Sequence, residues 1–287
     1  MKAEIKTIDV NGITLAYKEY GTGDNYLLST QNFFFEDCHM ALLGQEPYNY
    51  HTFLVYMRGY NKSTHIFDET PRDYTSVWGQ DLLDFADAMG IDKFYYTGIS
   101  HGNWAGWYIA FNHPERLKAF VCVDGIAQFR SPDKEHKRPV PPQSVDFSKF
   151  VGNRNALAKM AWMEYWPTDN PQRLARRAKN NLEHIDILME RNEEEFKVFN
   201  NNMSATNAKT KEEFEKQVAG ITVPILFWNG GLDPLSRTET VLQMNKLVRG
   251  SRMLVYNELG HGGADEMPEL CARDCDRYFK DIQGYIV

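Results

Sequence analysis

The 287-residue chain carries a formal net charge of −7, with 43% hydrophobic and 25% charged residues. That composition is ordinary for a globular protein and fits one large domain with an insertion, or two small ones. Mild acidity argues against a nucleic-acid or anionic-membrane partner, and no apolar run approaches the roughly 18 residues of a membrane-crossing helix. From the N-terminus, Glu4 to Glu19 reads as a hairpin, because two alternating runs flank Asn11-Gly12, a strong turn signal. Tyr26 to Thr30 and His51 to Tyr56 read as the next two strands. Val77 to Met89 places Trp78, Leu82, Phe85, Ala86 and Met89 at helical spacing, and Gly90 ends the helix. Phe94 to Thr97 and Leu117 to Val123 are strand-like, with an apolar helix after Gly102 between them. Later come a strand from Val223 to Trp228, a helix from Thr238 to Val248, a strand from Met253 to Tyr256 and a helix from Pro268 to Tyr278.

Strands that alternate with helices predict a mostly parallel sheet covered on both faces. The alternation breaks once. Residues 129–219 hold no convincing strand; they open with the Pro-rich, charged Ser131 to Pro142 and continue as polar helical sequence. The expected organisation is a core domain of residues 1–128 and 220–287 with a helical lid of residues 129–219. Trp162, Tyr165 and Trp166 are the part of that lid expected to face a substrate cavity, unless they only fasten it to the core.

The four cysteines form no C-x-x-C pair. Cys122 sits in an apolar strand. Cys271 and Cys275 share a helix face, but no histidine lies near them in the sequence, so packing is expected and no metal. Free thiols, and a start (Met1 to Lys6) without an apolar signal core, point to the cytoplasm.

The chemistry centres on Gly98-Ile99-Ser100-His101-Gly102, a G-x-S-x-G pentapeptide between a strand and a helix. By composition it arises by chance in roughly one chain in ten of this length, so its context carries the weight. A sharp strand-to-helix turn needs small residues and thrusts the serine hydroxyl out of the sheet. Such a serine needs a base, and the base needs an acid. Of eight histidines, His261 stands in a glycine-rich loop after the last strand, on the active edge of such sheets. Asp233, in Gly230-Gly231-Leu232-Asp233-Pro234, is the first candidate acid; Asp124, ending the sixth strand, is the alternative.

These residues resemble the α/β-hydrolase family, specifically its capped members. Met57 to Ser63 is similar to the family's R-G-x-G-x-S loop, Gly98 to Gly102 to its nucleophile elbow, and Asn112 to Arg116 to the x-H-P-E-R that ends the following helix. Gly230 to Asp233 and Gly260-His261 are similar to its acid and histidine loops. The resemblance implies an eight-stranded mostly parallel sheet, a helical cap inserted after strand six, and a catalytic set of Ser100, Asp233 and His261. It implies an oxyanion hole from the Phe33 and His101 amides, and no cofactor. Two departures stand out: Gln31-Asn32 replaces the family's His-Gly, and Tyr56 replaces the usual Asp before Arg58.

The implied activity is hydrolysis of an ester or lactone of a small to medium, fairly apolar or aromatic substrate. Asn32, Trp104, Trp162 and Trp166 are candidate pocket residues, with Phe33 to Phe35 beside them. Carbon–carbon bond hydrolases of the same fold share the triad. Ser100-His101-Gly102-Asn103-Trp104 is also similar to the elbow of cofactor-independent quinolone ring-cleaving dioxygenases, whose acid falls where this chain has Asp124. Oligomeric state is not written in the sequence.

Overall fold

A computed structural model describes residues 3–67, 73–129, 147–161, 168–197 and 205–283. Eight strands form one sheet: β1 (Lys6–Val10), β2 (Ile13–Tyr20), β3 (Tyr26–Gln31), β4 (His51–Tyr56), β5 (Phe94–Ile99), β6 (Leu117–Val123), β7 (Ile225–Gly230) and β8 (Arg252–Tyr256). Their order is β1-β2-β4-β3-β5-β6-β7-β8. β1 and β2 pair antiparallel, as do β2 and β4, and every later pairing is parallel. The β1–β2 hairpin turns on Asn11 (φ 45°) and Gly12 (φ 80°), the pair of left-handed residues that a two-residue hairpin requires.

The central strands are apolar on both faces because helices cover both. One face buries α2 (Tyr74–Ala88), α3 (Asn103–Asn112) and α8 (Thr238–Leu247), with Leu82, Phe85, Trp107 and Met244 against Leu28, Phe53, Phe120 and Phe227. The other buries α1 (His39–Leu43) and α10 (Pro268–Gln283), with Met40, Leu43, Cys271, Cys275 and Phe279 against Leu27, Leu54, Tyr95, Val121 and Trp228. α10 is longer than its sequence pattern indicated, and α1 had no signal of its own: five residues are too few for a periodicity.

Between β6 and β7 the described residues form helices and no strand: α4 (Arg154–Ala161), α5 (Pro171–Met189), α6 (Glu193–Lys197) and α7 (Lys211–Ala219). α5 starts cleanly, with Asn170 accepting from the Gln172 and Arg173 amides and Pro171 at the first turn. α7 packs Phe214 and Val218 into the main core rather than apart from it. Trp162, Tyr165, Trp166 and the Pro-rich run from Ser131 lie outside the described residues. No helix among the described residues is long and apolar enough to cross a membrane.

Candidate active site

β5 ends at Ile99, and Ser100 adopts φ 53° before α3 begins. A left-handed serine is strained, and strain of this kind clusters at functional positions. The turn closes only because its flanks are glycine. A Cβ on Gly98 would lie 2.6 Å from the Gly102 carbonyl, and one on Gly102 would lie 2.4 Å from Gln31 Oε1. Asn103, which departs from the dioxygenase elbow, fastens this turn to β6. Its Nδ2 donates to the Ser100 carbonyl (2.9 Å) and the Val123 carbonyl (2.7 Å), and its Oδ1 accepts from the Val123 amide (3.3 Å).

The histidine and acid loops are stitched together by backbone. Gly231 N donates to Tyr256 O (2.8 Å) and Leu232 N to Leu259 O (2.9 Å). A Cβ on Gly230 would fall 2.5 Å from the Gly260 carbonyl, so the close approach requires glycine. The result is a 2.8 Å contact between His261 Nδ1 and Asp233 Oδ2, with His261 only 3% exposed. The second Asp233 oxygen accepts from the Leu235 amide (2.7 Å) and the Ser236 amide (2.8 Å), which fixes the carboxylate's orientation.

Asp124 has a different task. Its Oδ1 accepts from Gly230 N at 2.8 Å, and its carbonyl accepts from Ser236 Oγ at 2.8 Å, so it holds the loop that carries Asp233. Its Oδ2 is buried with no hydrogen-bond partner among the described residues. Burial, then the neighbouring Asp233 charge, holds its carboxyl well above the usual carboxylate range.

Gln31 occupies the family's histidine position and bridges two loops. Its Oε1 accepts from the Ile99 amide (2.5 Å), and its Nε2 donates to the Phe33 carbonyl (3.3 Å). The Phe33 backbone is thereby tied to the elbow through a side-chain amide. Asn32 is buried, with Oδ1 unpartnered among the described residues. Phe34 and Phe35 pack into the core, whereas the Phe33 ring meets His184 of α5 at 4.2 Å. Trp104 lies stacked on Trp78 (6.0 Å, 8° between planes) within a buried cluster that includes Tyr60, and the His101 ring meets its edge. Arg58, beside the departure at Tyr56, is anchored by Asp81 through contacts of 3.0 and 2.5 Å.

α5 is bolted to the histidine loop. α9 (Gly263–Glu266) follows His261 directly, and its Glu266 accepts from Arg173 Nε and Arg177 Nε, each at 2.6 Å, with all three side chains buried. Arg173 also reaches the Glu258 carbonyl (3.0 Å), and Asn180 the Asp265 carbonyl (3.2 Å). Further along, Glu195 of α6 accepts from His65 Nδ1 (2.8 Å) and Ile66 N (3.1 Å). Polar helical sequence had given no sign that these arginines would be buried.

Burial, reinforced by the positive fields of His184, His261 and Arg191, pushes His101 down to about 3, and burial pushes His184 down to about 4. Unfolding frees His101 to titrate near 6.5, so its contribution favours folding fully above that pH and is lost as pH falls toward 3. The expected result is that His101→Asn flattens the acid side of the stability profile by about 1.4 kcal/mol per pH unit between pH 6 and 4. Urea melts across that range measure it; parallel profiles for the two proteins would show that the folded imidazole protonates normally.

The sequence offered no histidine to Cys271 and Cys275. The fold corrects this: a ring nitrogen of His39 and the two thiols lie within 4.8 Å of one another.

Known proteins place this architecture. A family model described as the alpha/beta hydrolase fold matches residues 32–268. Over 63 residues the chain is 35% identical to RutD of Caulobacter sp. (strain K31), provisionally named a carbamate hydrolase, and the match covers 22% of each protein. Two solved structures align over nearly the whole chain at 16% identity. The enol-lactonase from Burkholderia xenovorans LB400 has a TM-score of 0.71, covering 96% of this chain and 100% of that one. A thermophilic esterase from Thermogutta terrifontis has a TM-score of 0.70, covering 98% and 99%. The chain belongs to the alpha/beta hydrolase fold family.

Proposed function

We propose that this protein is a serine hydrolase that cleaves an ester or lactone of a small to medium, fairly apolar or aromatic substrate. The observation that carries the reading is the 2.8 Å contact of His261 Nδ1 with Asp233 Oδ2, on the same sheet edge as the left-handed Ser100. His261 Nε2 takes the Ser100 proton as Oγ attacks the carbonyl carbon. The Phe33 and His101 amides hold the developing oxyanion, a function that does not depend on either side chain. His261 then gives its proton to the leaving oxygen, and a water activated by the same nitrogen releases the acyl group. Asp233 keeps the imidazole in the required tautomer and stabilises its charged form. No metal or organic cofactor enters these steps. Helices α4 to α6 form the lid, and Phe33 against His184 supplies aromatic surface beneath it.

The engagement of Asp124 with Gly230 supports this reading over a dioxygenase-type arrangement, in which Asp124 would serve His261. Carbon–carbon bond hydrolysis uses the same triad and belongs in the substrate panel. Carbamates belong there too, because their cleavage is also acyl transfer.

The test joins nitrophenyl esters, lactones, carbamates and vinylogous diketones with a fluorophosphonate label read by peptide mass spectrometry. Hydrolysis of esters or lactones is expected, with the label on Ser100. Absence of both would sink the mechanism, and turnover of diketones alone would move the assignment to carbon–carbon cleavage.

A further inference from the structure

We propose that His39, Cys271 and Cys275 form a binding site for one Cu(I) ion, behind the sheet and separate from the serine site. The three side chains come from α1 and α10, which pack together on one face of the sheet. Each is completely buried, and one ring nitrogen of His39 and both sulfurs lie within 4.8 Å of one another. A second observation points to a ligand. His39 Nε2 engages Thr97 Oγ1 at 3.0 Å, while Nδ1 is buried with no hydrogen-bond partner among the described residues. An orphaned buried polar atom costs folding free energy, and a packed core of apolar side chains does not explain its retention. A cation accepted by Nδ1 does, and Nε2–H donating to Thr97 is the outer hydrogen bond that orients a metal-bound histidine.

The donor set selects the metal. Two thiols and an imidazole suit soft ions. No fourth His, Cys, Asp or Glu joins the group among the described residues, whereas structural zinc takes four ligands. A d¹⁰ ion content with three ligands fits better, and charge agrees. One thiol releases its proton to solvent as its Cu–S bond forms; the other remains a thiol. Cu⁺, one thiolate, one thiol and a neutral imidazole sum to zero, the state that an apolar surround tolerates. No electron is transferred. The bound ion would join α1 and α10 to Thr97, three residues before Ser100 on β5.

The experiment presents Cu(I) anaerobically to the purified chain from a chromophoric chelator. One equivalent should be retained, with a higher melting temperature and one proton released per ion. Cys271→Ala and Cys275→Ala should lose retention, while Cys38→Ala and Cys122→Ala, which alter the other buried thiols, should keep it. X-ray absorption on the wild-type complex guards against misfolded variants: two sulfurs and one nitrogen are expected around the ion. No retained copper, retention indifferent to Cys271 and Cys275, or a different ligand set would overturn the site. Zinc(II) held there equally tightly would overturn the assignment of the ion.

Discussion

Asp233→Asn is expected to lower kcat about 10⁴-fold, Ser100→Ala about 10⁶-fold, and Asp124→Asn by less than about tenfold. The ranking follows from what each oxygen accepts. Asn at 233 either turns its NH₂ toward His261 Nδ1 or surrenders the two amide bonds from Leu235 and Ser236 that orient the group. On the proposed mechanism, either outcome leaves the imidazole in the wrong tautomer and the serine proton with nowhere to go. Asn at 124 keeps a carbonyl oxygen for Gly230 N, and burial already disfavours the charged form of the native carboxyl. Steady-state kinetics of the three variants, on the best substrate of the panel, decides the matter. Loss confined to Asp124→Asn would transfer the acid role to that residue and favour base-assisted oxygen chemistry.

Glu266→Gln is expected to destabilise the protein by about 3–5 kcal/mol, because it leaves the Arg173 and Arg177 guanidinium groups buried without their shared anion. In a chain of this size that lowers Tm by about 5–8 °C. Replacing all three residues with apolar side chains of similar volume should recover much of the loss, since desolvation of the charges is then avoided. Thermal and urea melts of the single and triple variants measure both effects. A single variant as stable as wild type would mean that water reaches the arginines.

The core of the fold was legible because each of its signals is local. Buried parallel strands are unbroken apolar runs, and the boundaries of β4 and β6 follow from those runs directly. The elbow was legible because only small residues permit the Gly98–Gly102 approach. The choice between Asp233 and Asp124 was weighted toward Asp233 by neighbouring turn residues, but both follow strands at the same edge, and only the fold shows that Asp233 is the one in contact with His261, at 2.8 Å. Other features depend on partners far apart in the chain. Gln31-Asn32 stands out in the sequence only as a departure from His-Gly; that the Gln31 amide spans Ile99 and Phe33 needs the fold. Tyr56 likewise stands out only as a departure from Asp, and the anchoring of Arg58 by Asp81 on α2 is a contact between distant parts of the chain. His39 meets Cys271 and Cys275 only because α1 and α10 cover one sheet face. Of the proposed pocket aromatics, Trp104 is spent largely on Trp78, a pairing across two helices that no periodicity announces.

The attachment of α5 to residues on either side of His261 has a mechanical consequence. A swing of that helix away from the sheet would drag Glu258, Asp265 and Glu266 with it, and the imidazole between them. On the proposed mechanism, ajar and reactive are therefore mutually exclusive conditions for this part of the roof. Any outward swing of α5 would therefore interrupt the proposed reaction until the helix returned.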